Sequence, residues 1–253
     1  NSDGFDPESC DMVLVEGCTF DAGDDCIAIK AGKNRDTQYG PSQNIVIQDC
    51  IMHSGHGAVT LGSEMAGGIE HVYARQLEFR NVHWAKDPLN TAIRMKTNMN
   101  RGGYLRNFYV RDCTIPNGVQ LSPSFYASLP GSPIQSKTVA TAAGAIVTFD
   151  CDYTPISDNV RTRPPVVSNI HISNIKVGNV TKDGKSASCF QAIVILGSDL
   201  EPYERLKLIN WLGLHPALTA IALGSPVRGV PARRRGSRAR ARRPRPRPAW
   251  RQV

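Results

Sequence analysis

The hydrophobic positions of this chain fall into two kinds of short segment that recur in a fixed order. The first is an alternating apolar triplet starting at Val13, Ile45, Val72, Phe108 and Ile170, so successive starts lie 32, 27, 36 and 62 residues apart. The second is an apolar run that begins near a Gly or Ala and covers residues 26–30, 58–62, 92–96, 145–149 and 192–197. Short segments rich in β-branched residues and separated by Gly, Asn and Asp predict strands rather than helices.

A fixed order of strand types with variable spacing is typical of a solenoid whose stacked coils carry inserted loops. A β-sandwich is the alternative, but hairpin dipeptides are rare here, Asn117-Gly118 being one example. No helical periodicity of three turns precedes residue 200. We therefore expect an all-β, single-stranded parallel β-helix over residues 1–202, with longer surface loops at 30–44 and 115–140.

Three of the seven cysteines occupy equivalent places directly after these strands, at Cys18, Cys50 and Cys113. Such equivalence predicts an interior stack of small apolar side chains. None of the cysteines has the paired spacing of a metal site, and they are too sparse for a disulfide scaffold.

The net charge of +8 belongs to one end of the chain. Eleven arginines and no acidic residues lie between Arg228 and Arg251, which leaves the remainder at about −3. We expect residues 203–253 to form a divergent, disordered Arg/Pro-rich tail, because such a composition cannot bury enough apolar surface to order itself. Without a recognisable nucleic-acid fold beside it, this tail does not predict a nucleic-acid partner. No apolar run of about 18 residues is present, so no membrane span is expected.

Three aspartates provide the first candidate chemistry. Asp3 lies in Asn1-Ser2-Asp3-Gly4 and precedes the pair Asp24-Asp25 by 21 residues, which is close to one coil of a β-helix. Neighbouring strands lie roughly 4.8 Å apart, so this spacing predicts that the three carboxylates meet. Crowded carboxylates do not all ionise, and one of them can then serve as a proton donor. An Asp-rich turn or a calcium cluster is the competing interpretation.

His56 and two cations extend the candidate site. His56 stands between Gly55 and Gly57, which allow the backbone to approach closely and leave the imidazole uncrowded. Arg94 and Lys96 are two residues apart on a predicted strand, so they share one face and suit the binding of a carboxylate. A solvated basic strand is the ordinary alternative for this pair.

Taken in order, Asn-Ser-Asp, Gly-Asp-Asp, Gly-His-Gly and Arg-Met-Lys resemble the four sequence blocks of the polygalacturonases, glycoside hydrolase family 28. The resemblance covers roughly residues 1–200 and implies a right-handed parallel β-helix of the pectin-lyase-like type. It implies inverting hydrolysis of α-1,4-galacturonosyl bonds in polygalacturonate. Asp24 would be the general acid, and Asp3 and Asp25 would position and activate water. His56 would support the acid, and Arg94 and Lys96 would bind the substrate carboxylate.

The same resemblance implies no metal and no cofactor, a monomer, and a secreted or periplasmic protein. Residues 5–10, 62–68 and the insertion at 30–44 resemble the bacterial exo-acting branch. Compared with that family the chain lacks the coils that usually precede the first block, so we expect an N-terminally truncated protein. The alternatives are a non-catalytic pectin-binding β-helix or an inactive fragment, a calcium-dependent β-helical pectate lyase, and a hydrolase of a branched pectin backbone.

Overall fold

A computed structural model describes residues 2–84, 88–121, 144–151, 153, 163–182, 184–196, 204–209 and 221–224. These residues contain 17 strands: β1 Asp11–Glu16, β2 Thr19–Phe20, β3 Ile27–Ile29, β4 Ser42–Gln48, β5 Ile51–Met52, β6 Gly57–Gly62, β7 Ile69–Arg75, β8 Glu78–Phe79, β9 Thr91–Lys96, β10 Tyr104–Ile115, β11 Ala145–Asp150, β12 Val166–Val177, β13 Val180–Lys182, β14 Lys185–Ala187, β15 Gln191–Leu196, β16 Glu204–Ile209 and β17 Ile221–Gly224. Within these ranges no helix is long and apolar enough to cross a bilayer.

The predicted triplets form the spine of a nine-stranded sheet. In it β1, β4, β7, β10, β12 and β16 lie side by side, while β2, β5 and β8 join through the end of β10. Val13 pairs with Ile45, Ile45 with Val72, Val72 with Phe108, and Phe108 with Ile170, always in parallel. The five triplet starts therefore occupy one column, which confirms the coil assignment.

The second kind of predicted segment forms a six-stranded sheet in the order β3, β6, β9, β11, β15 and β17. Its pairs are also parallel, and one column runs through Ile27, Val59, Ile93 and Val147. These side chains are buried, as are the apolar positions two residues further along each strand. Two sheets of parallel strands wound into stacked coils, with one apolar core between them, make a right-handed parallel β-helix, as predicted.

The three equivalent cysteines line the core, but they do not form an unbroken stack. Leu77 lies between Cys50 and Cys113, because the Glu78 N–H donates to the Cys50 carbonyl and the Thr114 N–H donates to the Leu77 carbonyl. Cys50 and Cys113 are buried, and half-buried Cys18 packs against the same core. The main chain of Cys18 lies beside Cys50, because the Ile51 N–H donates to the Cys18 carbonyl at 2.9 Å. All seven thiols are free.

Strands β16 and β17 fall inside the segment that we assigned to the tail, residues 203–253. Each adds one parallel strand to its sheet, since β16 pairs with β12 and β17 pairs with β15. Residues 225–253, which carry the arginine-rich sequence, lie outside the described residues. The division of the chain at residue 202 therefore stays a prediction.

Candidate active site

The segment that carries Asp3 runs parallel to the start of β3. Phe5 forms a bridge with Ile27, and Glu8 forms one with Lys30. Next to these bridges the Asp24 N–H donates to the Ser2 carbonyl at 3.0 Å, and the Gly4 N–H donates to the Asp25 carbonyl at 2.8 Å. Asp3 is therefore held beside Asp24 and Asp25 by backbone hydrogen bonds on both sides, at the spacing that the sequence predicted.

The three carboxylates meet. One oxygen from each of Asp3, Asp24 and Asp25 lies within 4.8 Å of the other two. Their exposure differs, because the side chains are 20%, 31% and 0% exposed respectively. The oxygens are closer than the roughly 6.5–9.5 Å between carboxyl groups that is usual for inverting glycosidases.

Asp25 is neutralised by two cations of β9, which is separated from β3 by β6 in the sheet. Lys96 Nζ lies 2.7 Å from Asp25 Oδ2, and Arg94 Nη1 lies 3.3 Å from Asp25 Oδ1. Both cations project from β9 toward this carboxylate, and both are nearly buried. The structure thus brings both predicted cations to the site, where each forms an ion pair with Asp25.

His56 contacts the remaining acid. Its Nδ1 lies 2.9 Å from Asp24 Oδ1, and its backbone N–H donates to the Asp24 carbonyl at 2.8 Å. The flanking glycines are required for this approach. A Cβ on Gly55 would lie 2.6 Å from the Asp24 carbonyl oxygen, and one on Gly57 would lie 2.8 Å from Asp25 Oδ1.

Two further residues, Lys30 and Tyr153, border the site and were not predicted from the sequence. Lys30 Nζ lies 3.1 Å from Asp3 Oδ2 and 2.7 Å from Asp6 Oδ2. The Tyr153 ring lies beside both β9 cations, with its centroid 5.7 Å from Arg94 Cζ and 5.5 Å from Lys96 Nζ. Burial raises the pKa of Tyr153, so its hydroxyl stays protonated. Lys30 ends an apolar run in the same column as Lys96, and Tyr153 follows the predicted run 145–149, which pairs with β9. These positions were the available signals.

The acidic cluster has the oxygen ligands that a hard cation prefers. Lys30, Lys96 and Arg94 already place positive charge against Asp3 and Asp25. We therefore assign no metal to the cluster.

Three other histidines, His71, His83 and His171, lie elsewhere. His71 contacts Asn107 at 3.0 Å, and His171 contacts Asn169 at 2.8 Å, both on the nine-stranded sheet. His83 lies 3.4 Å from Asp21 and is half exposed. These contacts place the three histidines outside the candidate active site.

Comparison with known proteins gives a consistent result. Residues 1–119 match the family model "Glycosyl hydrolases family 28". A probable polygalacturonase from Vitis vinifera is 39% identical over 118 residues, which is 46% of this chain and 23% of that protein. An exo-poly-alpha-D-galacturonosidase from Dickeya chrysanthemi is 40% identical over 75 residues, or 29% of this chain and 12% of that protein.

Among solved structures, a hyperthermoactive exopolygalacturonase from Thermotoga maritima matches with a TM-score of 0.51 and 26% identity, covering 83% of this chain and 44% of that chain. The family resemblance found in the sequence is thereby confirmed for the matched part. The matched region spans less than a quarter of the length of the Vitis and Dickeya relatives.

Proposed function

We propose that this chain, whose residues 1–119 carry the glycosyl hydrolase family 28 match, hydrolyses α-1,4-galacturonosyl bonds of polygalacturonate. The observation that carries the proposal is the meeting of three carboxylates beside a histidine and two buried cations. Glycoside hydrolysis needs a proton donor and a carboxylate that activates water, and this cluster supplies both.

In the proposed reaction Asp24 gives its proton to the glycosidic oxygen as the bond from that oxygen to C1 breaks. A water attacks C1 from the opposite face, and its proton passes to Asp3 as the new C1–O bond forms. Asp3 is the base because its side chain is 20% exposed, whereas that of Asp25 is 0% exposed. Asp3 then releases the proton to solvent. Asp24 suits the acid because it is the most exposed of the three carboxylates and contacts His56. Its lost proton is regained from solvent before the next cycle.

Attack by water, rather than by a carboxylate, is supported by how the other two acids are held. Asp3 accepts the Asp25 N–H on Oδ1 and Lys30 on Oδ2. Asp25 contacts Arg94 through Oδ1 and Lys96 through Oδ2. A carboxylate with both oxygens in such contacts is a poor nucleophile. The oxygens of Asp3, whose side chain is 20% exposed, still have lone pairs that can accept a hydrogen bond from water. Inversion at C1 follows, despite the short separation of the carboxyl groups.

Lys96 and Arg94 are proposed to bind the galacturonate carboxylate. An ammonium group has three donors, so the contact with Asp25 does not exhaust Lys96. The Tyr153 ring beside both cations offers an apolar surface to the sugar. The shared contact with Asp25 would fix the direction of the cations before substrate arrives, which lowers the cost of ordering them.

We further propose exo action on de-esterified pectin, by a secreted or periplasmic monomer. The similarity to the Dickeya relative and the Thermotoga structure, both named as exo-acting, supports this choice. Defined oligogalacturonates test it. Exo action releases a single short product from the first minute, whereas endo action gives a ladder of intermediate lengths.

Reducing-sugar release from polygalacturonate tests the function itself. We expect activity in the wild-type chain and its loss, by at least about 10²-fold, in Asp24→Asn with an unchanged circular dichroism spectrum. Full activity in a verified Asp24→Asn protein would refute the acid assignment. Binding of oligogalacturonate without turnover by the wild-type chain would instead favour a non-catalytic pectin-binding β-helix.

A further inference from the structure

We propose that Lys30 is a positioning residue of this site, whose ammonium group bridges Asp3 to Asp6 and so fixes the Asp3 carboxylate toward the attacking water. The inference rests on the proposed function, because it gives Asp3 a task only if water is activated there. It concerns a residue outside the four sequence blocks that suggested the site.

The backbone fixes where Lys30 stands. Its N–H donates to the Pro7 carbonyl at 2.9 Å, and its own carbonyl accepts the Ser9 N–H at 3.0 Å. Lys30 is thus held in parallel register with the segment that carries both of its acidic partners. The side chain is 21% exposed, so its contacts are shielded from solvent on most sides.

The bridge completes the hold on Asp3. Oδ1 of Asp3 accepts the Asp25 N–H at 3.0 Å, and Oδ2 contacts Lys30 Nζ at 3.1 Å. A carboxylate that is hydrogen-bonded through both oxygens has one orientation, whereas a carboxylate that is hydrogen-bonded through Oδ1 alone can rotate. Lys30 is itself anchored by Asp6 at 2.7 Å, so it does not depend on Asp3 for its position.

Lys30 also affects the pKa of Asp3, because Asp3 lies among other carboxylates. Asp3 faces the carboxylates of Asp6, Asp24 and Asp25, and Lys30 is the cation in contact with it. Burial alone would raise the pKa of Asp3, but the hydrogen bonds from Lys30 and the Asp25 N–H, with the attraction of Lys30, bring that pKa below its ordinary value.

The pKa values of Asp3 and Asp6, the two partners of Lys30, shift in opposite directions. Burial, together with the neighbouring Asp3 carboxylate, raises the pKa of Asp6 despite its contact with Lys30. Asp6 therefore takes up a proton before Asp3 does as the pH falls. Environments that move the pKa values of two carboxylates apart keep one of them ionised, so that it can act as a general base.

Two substitutions and a control test the proposal in the full chain. Lys30→Met removes the charge and keeps the apolar stem, Lys30→Arg keeps the charge, and Lys33→Met changes an exposed lysine three residues away. We expect Lys30→Met to lower kcat by about tenfold to a hundredfold, with KM changed much less. Lys30→Arg should recover most of the rate, and Lys33→Met should match wild type.

The pH profile separates this role from a merely structural one. Asp3 must be ionised to accept a proton, so the acidic limb of kcat reports its pKa. Without Lys30 that pKa rises, and the limb of Lys30→Met moves to higher pH. A limb and a kcat equal to those of wild type would overturn the proposal. If Lys30→Met does not fold, Lys30→Gln takes its place with the same expected results.

Carbon-13 NMR titration of the aspartate carboxyls, without substrate, keeps this proposal distinct from the proposed function. An upward shift of the Asp3 titration in Lys30→Met supports the bridge even if the wild-type chain hydrolyses nothing, in which case only the proposed function fails. An Asp3 titration that does not move overturns the bridge, whatever the activity.

Discussion

Replacing Asp25 with asparagine tests the ion-pair centre of the site. Asp25 is fully buried, and it neutralises Arg94 and Lys96, whose side chains are 7% and 12% exposed. The amide has nearly the volume of the carboxylate, so the substitution leaves no cavity. What it leaves is two cations that are nearly buried and have lost the negative charge they share.

The expected cost follows from this burial. Removing one partner of a buried ion pair destabilises a protein by about 3–5 kcal/mol. With a urea m-value of about 2–3 kcal/mol/M, a loss of that size lowers the unfolding midpoint by roughly 1.5 M. Such a loss is a large part of the roughly 5–15 kcal/mol that stabilises a domain. Hydrolysis of polygalacturonate should fall with it, since the cations lose their fixed direction.

Urea unfolding followed by circular dichroism measures this cost, with Asp24→Asn as the matched control. Asp24 is 31% exposed and bonded to a half-exposed histidine, so its replacement should cost about 1 kcal/mol or less. Adding Lys96→Met to Asp25→Asn removes one uncompensated cation and should restore part of the loss. If Asp25→Asn unfolds at the wild-type urea midpoint, the ion pairs of Asp25 with Arg94 and Lys96 do not stabilise the fold.

Three further predictions concern the stereochemistry, the backbone and the thiols. Proton NMR of the first product in heavy water should show the β-anomer from the α-linked substrate; initial α-anomer would instead mean retention, as the short carboxyl separation by itself suggests. Gly57→Ala should lower activity at least about tenfold and destabilise the fold, because its Cβ would lie 2.2 Å from Thr60 Oγ1 and 2.8 Å from Asp25 Oδ1; wild-type rate and melting temperature would contradict this close packing. Burial raises the pKa of the Cys26 thiol to about 12, and its Sγ contacts the Ser54 carbonyl oxygen at 2.9 Å. Iodoacetamide at pH 8 should therefore leave Cys26 unmodified until urea is added. Mass spectrometry measures this, and an alkylated Cys26 in the native protein would contradict the prediction.

The register of the coils was predictable, because a period of two fixes which side chains face the core. The triplet starts at Val13, Ile45 and Val72 were found by pattern alone, and they pair directly with one another. The meeting of Asp3 with Asp24 and Asp25 followed from one coil length. In both cases the information lies in spacing along the chain, which stacking converts into proximity.

The charge pairing inside the site was not predictable in the same way. Arg94 and Lys96 were expected to face substrate, but which acid they contact depends on side-chain torsions and on the depth of Asp25. Lys30 looked like the end of an apolar run until its partners Asp3 and Asp6 were placed beside it. Tyr153 lies just beyond the predicted run 145–149, which pairs with β9, but it stands outside the repeat itself, so its contact with the β9 cations depends on the turn after β11. The separation of the carboxyl groups likewise depends on rotamers rather than on spacing.

A crystal structure of Asp24→Asn with bound trigalacturonate would show whether the substrate binds at the three carboxylates. We expect a glycosidic oxygen about 3 Å from the side-chain amide of residue 24, with a galacturonate carboxylate at a similar distance from Lys96 Nζ. A water should lie between C1 and the carboxylate of Asp3. A sugar chain bound elsewhere on the solenoid, with the three acidic positions facing only solvent, would contradict this expectation.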